Sequence, residues 1–209
     1  MPPRLLAPID EGRTRMENGT IQDSVSRYLD EIEGVVRSIS RVDVRAVVDR
    51  LFAAWRERRT IYIIGNGGSA STASHMMNDL SKMTTVDGAP RFRAVALTDN
   101  VPYITAVGND IEYAGIFVEQ LRNLFLPGDV LIALSGSGNS ENVVRAAAYA
   151  RENGGYVIGL CGQPGSRLCA NADAVVSIPA QIICQQEDGH LILNHAIALA
   201  LRERIAATV

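Results

Sequence analysis

Five short apolar runs, each closed by turn residues, restrict this chain more than any other feature of its sequence. They are Ile61–Ile64, Arg93–Leu97, Val130–Leu134, Tyr156–Leu160 and Ala174–Ile178. Runs of this length without polar alternation read as strands covered on both faces. Helical periodicity is predicted between most of them, over Ser69–Lys82, Ile111–Leu126 and Glu141–Asn153, and a last long helix runs from about His190 to Ala206. Strands alternating with helices imply a parallel sheet with right-handed crossovers and a helix layer on each face. Two further amphipathic helices, Ile21–Ile39 and Asp43–Arg58, precede the first strand. They are expected either to cover a face of the core or to pack against another subunit. Residues 1–20 mix Pro, Gly and charge without periodicity and read as a loose tail, leaving residues 21–209 as one domain.

The first strand runs into Gly65-Asn66-Gly67-Gly68-Ser69 and then into a helix. Strand, glycine-rich turn and helix in succession leave backbone N–H groups aimed at one spot, which suits an anion. That helix carries His75 and Asp79, four residues apart and so on one face. The loop after the third strand, Ser135-Gly136-Ser137-Gly138-Asn139-Ser140, repeats the arrangement with three hydroxyls in six residues. Taken alone, either loop is as well explained by a flexible turn with a helix N-cap. Two of them, each between a buried strand and a helix, favour a phosphate-binding crevice. A flavodoxin-like strand order 2-1-3-4-5 would set strands one and three side by side, where ligands collect in open α/β sheets. Neither loop has the Lys of a nucleotide-binding P-loop or the G-x-G-x-x-G spacing of a dinucleotide site.

Composition narrows the function classes further. A net charge of −3 with a pI near 5.6, and no basic block, argue against a nucleic-acid partner. No apolar run approaches the roughly 18 residues of a membrane span, and no secretory pattern opens the sequence. Cys161, Cys169 and Cys184 are odd in number without C-x-x-C spacing, which predicts buried, reduced thiols in a cytoplasmic protein rather than a zinc site.

GNGGSA followed by H-x-x-x-D, the SGSGNS loop, and Val107-Gly108-Asn109-Asp110 together resemble the sugar isomerase (SIS) domain family over roughly Gln22 to Arg204. Within it they are most similar to its phosphoheptose-isomerising members. The resemblance implies a three-layer α/β/α sandwich around a five-stranded parallel sheet, a single SIS domain and assembly as a homotetramer. It implies conversion of D-sedoheptulose 7-phosphate to D-glycero-D-manno-heptose 7-phosphate through an enediolate. A related sugar phosphate, or a catalytically silent binding or regulatory role, are the alternatives. It places the phosphate on Ser135, Gly136, Ser137 and Ser140, and the sugar chain on Asn66, Gly67, Gly68, Asn109 and Asp110.

The resemblance also implies Zn2+ held by His75, Asp79, His195 and a fourth ligand, which is Glu187 by counting back from His195 and Gln186 by matching the Gln-Glu string. A regular helix rises about 12 Å over eight residues, so Glu187 is expected at or before the start of the last helix. Two residues depart from the family pattern: Asp79 stands where Glu is usual, and Glu187 where Gln is usual. The base is therefore Asp79, or Glu187 or Asp188 if Asp79 serves only as a ligand, and His195 is the candidate acid. His190 is expected to cap or pack.

Overall fold

The computed structural model describes residues 19–162 and 164–209, with side chains from Asp23 onward. The expected tail over residues 1–18 lies outside the described residues, and residues 19 and 20 already belong to the first helix.

The strands are β1 (Thr60–Ile64), β2 (Arg93–Ala96), β3 (Val130–Ser135), β4 (Tyr156–Cys161) and β5 (Ala174–Ser177), close to the expected runs. All pair in parallel in the order β2-β1-β3-β4-β5, so β1 and β3 are neighbours at the point where strand order reverses. Alternation along each strand feeds two cores. Ile61, Ile63, Val130, Ile132, Ile158 and Leu160 face one side. They pack there with Leu51 and Trp55 of α2 (Arg41–Arg56), Met76 of α3 (Gly68–Asn78), and Leu193, Ile197 and Leu201 of α8 (Ile183–Ala206). Tyr62, Ile64, Leu131, Ala133 and Val157 face the other. Their neighbours are Val107 of α4 (Val101–Asp110), Leu121 of α5 (Val118–Leu124), Val143 and Ala147 of α6 (Glu141–Glu152), and Leu168 of α7 (Arg167–Ala170). The result is the three-layer α/β/α sandwich.

Carboxylates fix the strand starts, Asp129 from within the core and Asp173 from nearer the surface. Asp129 accepts from the Thr60 amide at 2.9 Å and the Leu126 amide at 3.0 Å, tying β1 to β3. Asp173 does the same for β4 through the Val157 amide at 2.8 Å. The first helix, α1 (Gly19–Ser38), lies against α8 and leaves Val25 and Leu29 exposed.

Three helix boundaries differ from expectation. The stretch expected as one helix over Ile111–Leu126 holds a 3-10 turn at Tyr113–Gly115 and the short α5, while α4 lies wholly before it, over Val101–Asp110. Pro102 sits in the first turn of α4, where its missing N–H is harmless. The helix after β1 leaves α geometry at Asp79 and finishes as a π-turn, Asp79–Met83, in which the Thr84 amide reaches back five residues to the Asp79 carbonyl. The last helix starts at Ile183, seven residues before His190. Its opening turns are polar yet buried, because Gln185 donates to Glu31 at 2.7 Å and Gln186 to the Ala180 carbonyl at 2.9 Å. Among the described residues no helix is long and apolar enough to cross a membrane.

His190 packs rather than caps. It is fully buried, and neither ring nitrogen has a partner among the described residues. Desolvation alone depresses its pKa to about 4. The folded state therefore holds fewer protons than the unfolded chain between that value and the ordinary 6.5, and stability present at pH 7 is lost as pH falls through this window. Denaturant melts are expected to show a loss of about 2 kcal/mol between pH 7 and pH 5 from this group, and a His190→Leu variant a flatter profile.

Candidate active site

The two glycine-rich loops leave the carboxyl ends of β1 and β3, which are neighbours in the sheet. Gly67 takes φ +56°, a left-handed conformation that favours glycine. A Cβ on Gly68 would lie 2.4 Å from the Glu187 carboxylate, so only a glycine lets that acid rest on the first turn of α3. The Asn66 amide exchanges two hydrogen bonds with Asn142 of α6, both 2.9 Å, and its Oδ1 also accepts from the Tyr113 hydroxyl at 3.1 Å. These bonds hold the two loops together. From the sequence Asn142 stands out only as the N of the SGSGNS-x-N-V motif and Tyr113 not at all; neither had a role assigned to it, since an amide in a helix looks like a surface residue.

In the second loop, Ser135 is buried and its Oγ accepts from the Gly138 amide at 3.1 Å. Ser137 Oγ accepts from the Asn139 amide at 3.2 Å. Ser140 is the N-cap of α6, but its hydroxyl makes no capping bond. Gly136 and Gly162 both close on the Gln186 side chain, whose carboxamide oxygen would lie 2.5 Å and 2.4 Å from a Cβ at either position. Glu141, in the first turn of α6, pairs with Arg167 at 2.7 Å and Arg145 at 2.9 Å, and these hydrogen bonds hold its carboxyl below the usual range. Asn109 and Asp110 close α4 on the surface, with Asn109 Nδ2 donating to Asp110 at 2.7 Å.

One metal-competent group is found among the described residues: His75, Asp79 and His195, whose donor atoms lie within 4.8 Å of one another. His75 Nε2 is 3.3 Å and His195 Nε2 3.7 Å from Asp79 Oδ2, and the two Nε2 atoms are 3.2 Å apart. Asp79 is buried while both imidazoles are partly open. Asn194, unforeseen in the sequence, donates to Asp79 Oδ2 at 2.8 Å from within the core, orienting the carboxylate from behind. Two imidazoles and one carboxylate with an open side match the donor set of catalytic zinc sites.

Neither candidate for a fourth ligand joins this group. Gln186 points away, beneath the serine loop. Glu187 is not at or before the helix start but inside α8, where eight residues of helical rise separate it from His195, and it occupies the first turn of α3 instead. Desolvation, and then repulsion from Asp188, raise its pKa. Asp188 is engaged elsewhere, accepting from the Tyr28 hydroxyl at 2.5 Å.

The chain belongs to the SIS domain family, whose model matches residues 23–162. A curated phosphoheptose isomerase from Mycobacterium bovis is 38% identical over 154 residues, covering 74% of this chain and 78% of the relative. One from Geotalea daltonii is 31% identical over 187 residues, covering 88% and 95%. Among solved structures, phosphoheptose isomerase GmhA from Neisseria gonorrhoeae superposes with a TM-score of 0.81 at 29% identity, covering 88% of this chain and all of that one. That of Francisella tularensis, at 24% identity with a TM-score of 0.82 and 88% and 99% coverage, shares the fold.

If the serine loop is the phosphate seat, hydroxyls not needed for the fold should matter most for binding. Replacing Ser137 and Ser140 together by Ala is expected to raise KM for a sugar phosphate by about tenfold or more, with kcat changed less. Steady-state kinetics would show it; an unchanged KM would put the phosphate elsewhere.

Proposed function

We propose that this chain is a ketose–aldose isomerase that converts D-sedoheptulose 7-phosphate into D-glycero-D-manno-heptose 7-phosphate. The observation that carries the reading is the continuity of the site. The helix that starts at the first glycine loop brings His75 and Asp79 to His195, while the Asn66–Asn142 pair holds that loop against the serine loop. The curated relatives named phosphoheptose isomerase support the seven-carbon substrate.

In this reading Ser135, Gly136, Ser137, Ser140 and the N-terminus of α6 grip the phosphate and set the distance to the reacting end. Asn66, Gly67, Gly68, Asn109 and Asp110 contact the sugar chain. His75, Asp79 and His195 hold one divalent cation, zinc by the donor set. When bound, that ion supplies Lewis-acid polarisation of the sugar oxygens at C1 and C2.

The isomerisation removes a proton from C1 of the ketose and returns it to C2, with a matching transfer between the two oxygens. Asp79 is assigned the carbon-bound proton, since Asn194 fixes its orientation and its burial excludes competing water. His195, half-exposed beside it, serves the oxygens. Glu187 flanks the first loop with no hydrogen-bonding partner among the described residues, and its raised pKa suits it to share a proton with a sugar hydroxyl. A homotetramer belongs to the same reading, supported by the exposed Val25 and Leu29 on α1 and Ile192 and Leu199 on α8. So does a cytoplasmic setting, which three cysteines without a disulfide suit.

The test is incubation of metal-loaded protein with sedoheptulose 7-phosphate in deuterated water, followed by NMR. The expected outcome is an aldose 7-phosphate carrying deuterium at C2. Absence of any aldose overturns the reading, and aldose formed without solvent deuterium argues for a hydride shift in place of the enediolate.

A further inference from the structure

The serine loop rests on a pair of thiols that the proposed chemistry does not use. Cys161 ends β4, directly opposite Ser135 in the β3–β4 ladder, and Cys169 lies in α7. Their Sγ atoms are 3.1 Å apart, against about 2.05 Å in a formed disulfide. No disulfide joins them. Cys161 is fully buried, whereas Cys169 is only half-buried, contrary to the uniform burial expected of the cysteines. Cys184 sits apart, at the start of α8.

We propose that Cys161 and Cys169 form a reversible disulfide on exposure to a peroxide, and that this bond loosens the phosphate grip of the serine loop. Cys169 is the more exposed of the two and so the one a peroxide would meet first. Desolvation opposes its ionisation, but hydrogen bonds from the Ser166 hydroxyl, the Cys161 thiol and the Ser166 and Gly165 amides outweigh it and lower its pKa. Burial drives the Cys161 thiol the other way, up to about 12. The Cys169 thiolate attacks one peroxide oxygen, the O–O bond breaks, and a sulfenic acid forms with release of water or an alcohol. Cys161 sulfur then displaces the sulfenic oxygen. The S–O bond breaks as the S–S bond forms, and the thiol proton leaves with the oxygen as water. In sum two thiols and one peroxide give one disulfide and two hydroxylic products, so electrons balance.

The path to the loop is short. Ser166 lies 3.2 Å from Cys169 Sγ and presses on Gly138, where a Cβ would sit 2.0 Å from the Ser166 hydroxyl. The Leu168 amide donates to the Gly138 carbonyl at 2.9 Å, and the Arg167 amide to Asn139 Oδ1 at 3.1 Å. On the other side the Gly162 amide, next to Cys161, donates to the Gly136 carbonyl at 3.0 Å. Drawing the two sulfurs together by about 1 Å therefore moves both supports of the segment Gly136–Asn139.

The experiment treats the full chain with hydrogen peroxide, traps remaining thiols, and reads intact mass and disulfide-linked peptides. The expected result is a loss of about 2 Da that links the Cys161 and Cys169 peptides and is reversed by dithiothreitol. It should be abolished by Cys169→Ser and by Cys161→Ala or Cys161→Ser, and unaffected by Cys184→Ser. Oxygen addition to Cys169 without a bond, or linkage through Cys184, overturns the proposal. The coupling to the loop rests on the proposed phosphate seat, so it is read twice. KM for sedoheptulose 7-phosphate and Kd for inorganic phosphate should each rise about threefold or more on oxidation. A bond that leaves both unchanged overturns the coupling, while a phosphate effect in a protein that does not turn over the sugar counts against the isomerase reading alone.

Discussion

The Asp79 carboxylate is the point on which the site depends. It is buried between two helices, and a buried carboxylate is tolerated only with partners close at hand. Those partners come from both sides: His75 one turn earlier in the same helix, and Asn194 and His195 from α8. The switch from α to π geometry begins at the same residue. One side chain thus locks the helix that leaves β1 to the helix that closes the chain, and leaves two imidazoles facing outward. A cation seated there would offset the charge that burial otherwise penalises.

The sheet supplies the rest. Because β1 and β3 are adjacent, their two loops lie side by side, and the Asn66–Asn142 pair fixes how far apart they stand. Glycine is needed at Gly68 because Glu187 rests there, and at Gly136 and Gly162 because Gln186 does. The first two turns of α8 are thus wedged beneath both loops, while its middle supplies the metal-competent face. The serine loop also leans on α7 and the end of β4, which is why the thiols there have access to it.

Much of this was legible from the sequence. Strands were readable because buried parallel strands are continuous apolar runs, and the β1–β3 adjacency followed from the two loops. The pairing of His75 with Asp79 followed from helical spacing. The last helix was truncated because its opening turns, Gln185 to Asp188, look like solvent-facing loop; the burial of Gln185 and Gln186 rests on individual tertiary partners that no periodicity reveals. The helix α4 was missed although Val101, Ile104 and Val107 carry helical spacing, because the stretch around them is rich in turn residues, and the helix expected over Ile111–Leu126 is reduced to a 3-10 turn and α5. Asn194 was invisible because its value lies in a partner 115 residues away. Helix geometry required Glu187 to lie at or before the start of the last helix to reach His195, but that helix begins at Ile183 and carries Glu187 inside it.

Metal content of purified Asp79 variants, read by elemental analysis alongside isomerase rate, tests the central claim most directly. Asp79→Asn keeps the shape but removes the charge that would hold the cation, and is predicted to lose most of its metal and nearly all turnover. Asp79→Glu, which restores the family's usual residue, is predicted to retain metal and measurable activity. An Asp79→Asn protein with full metal and full activity would show that the reacting centre lies somewhere else.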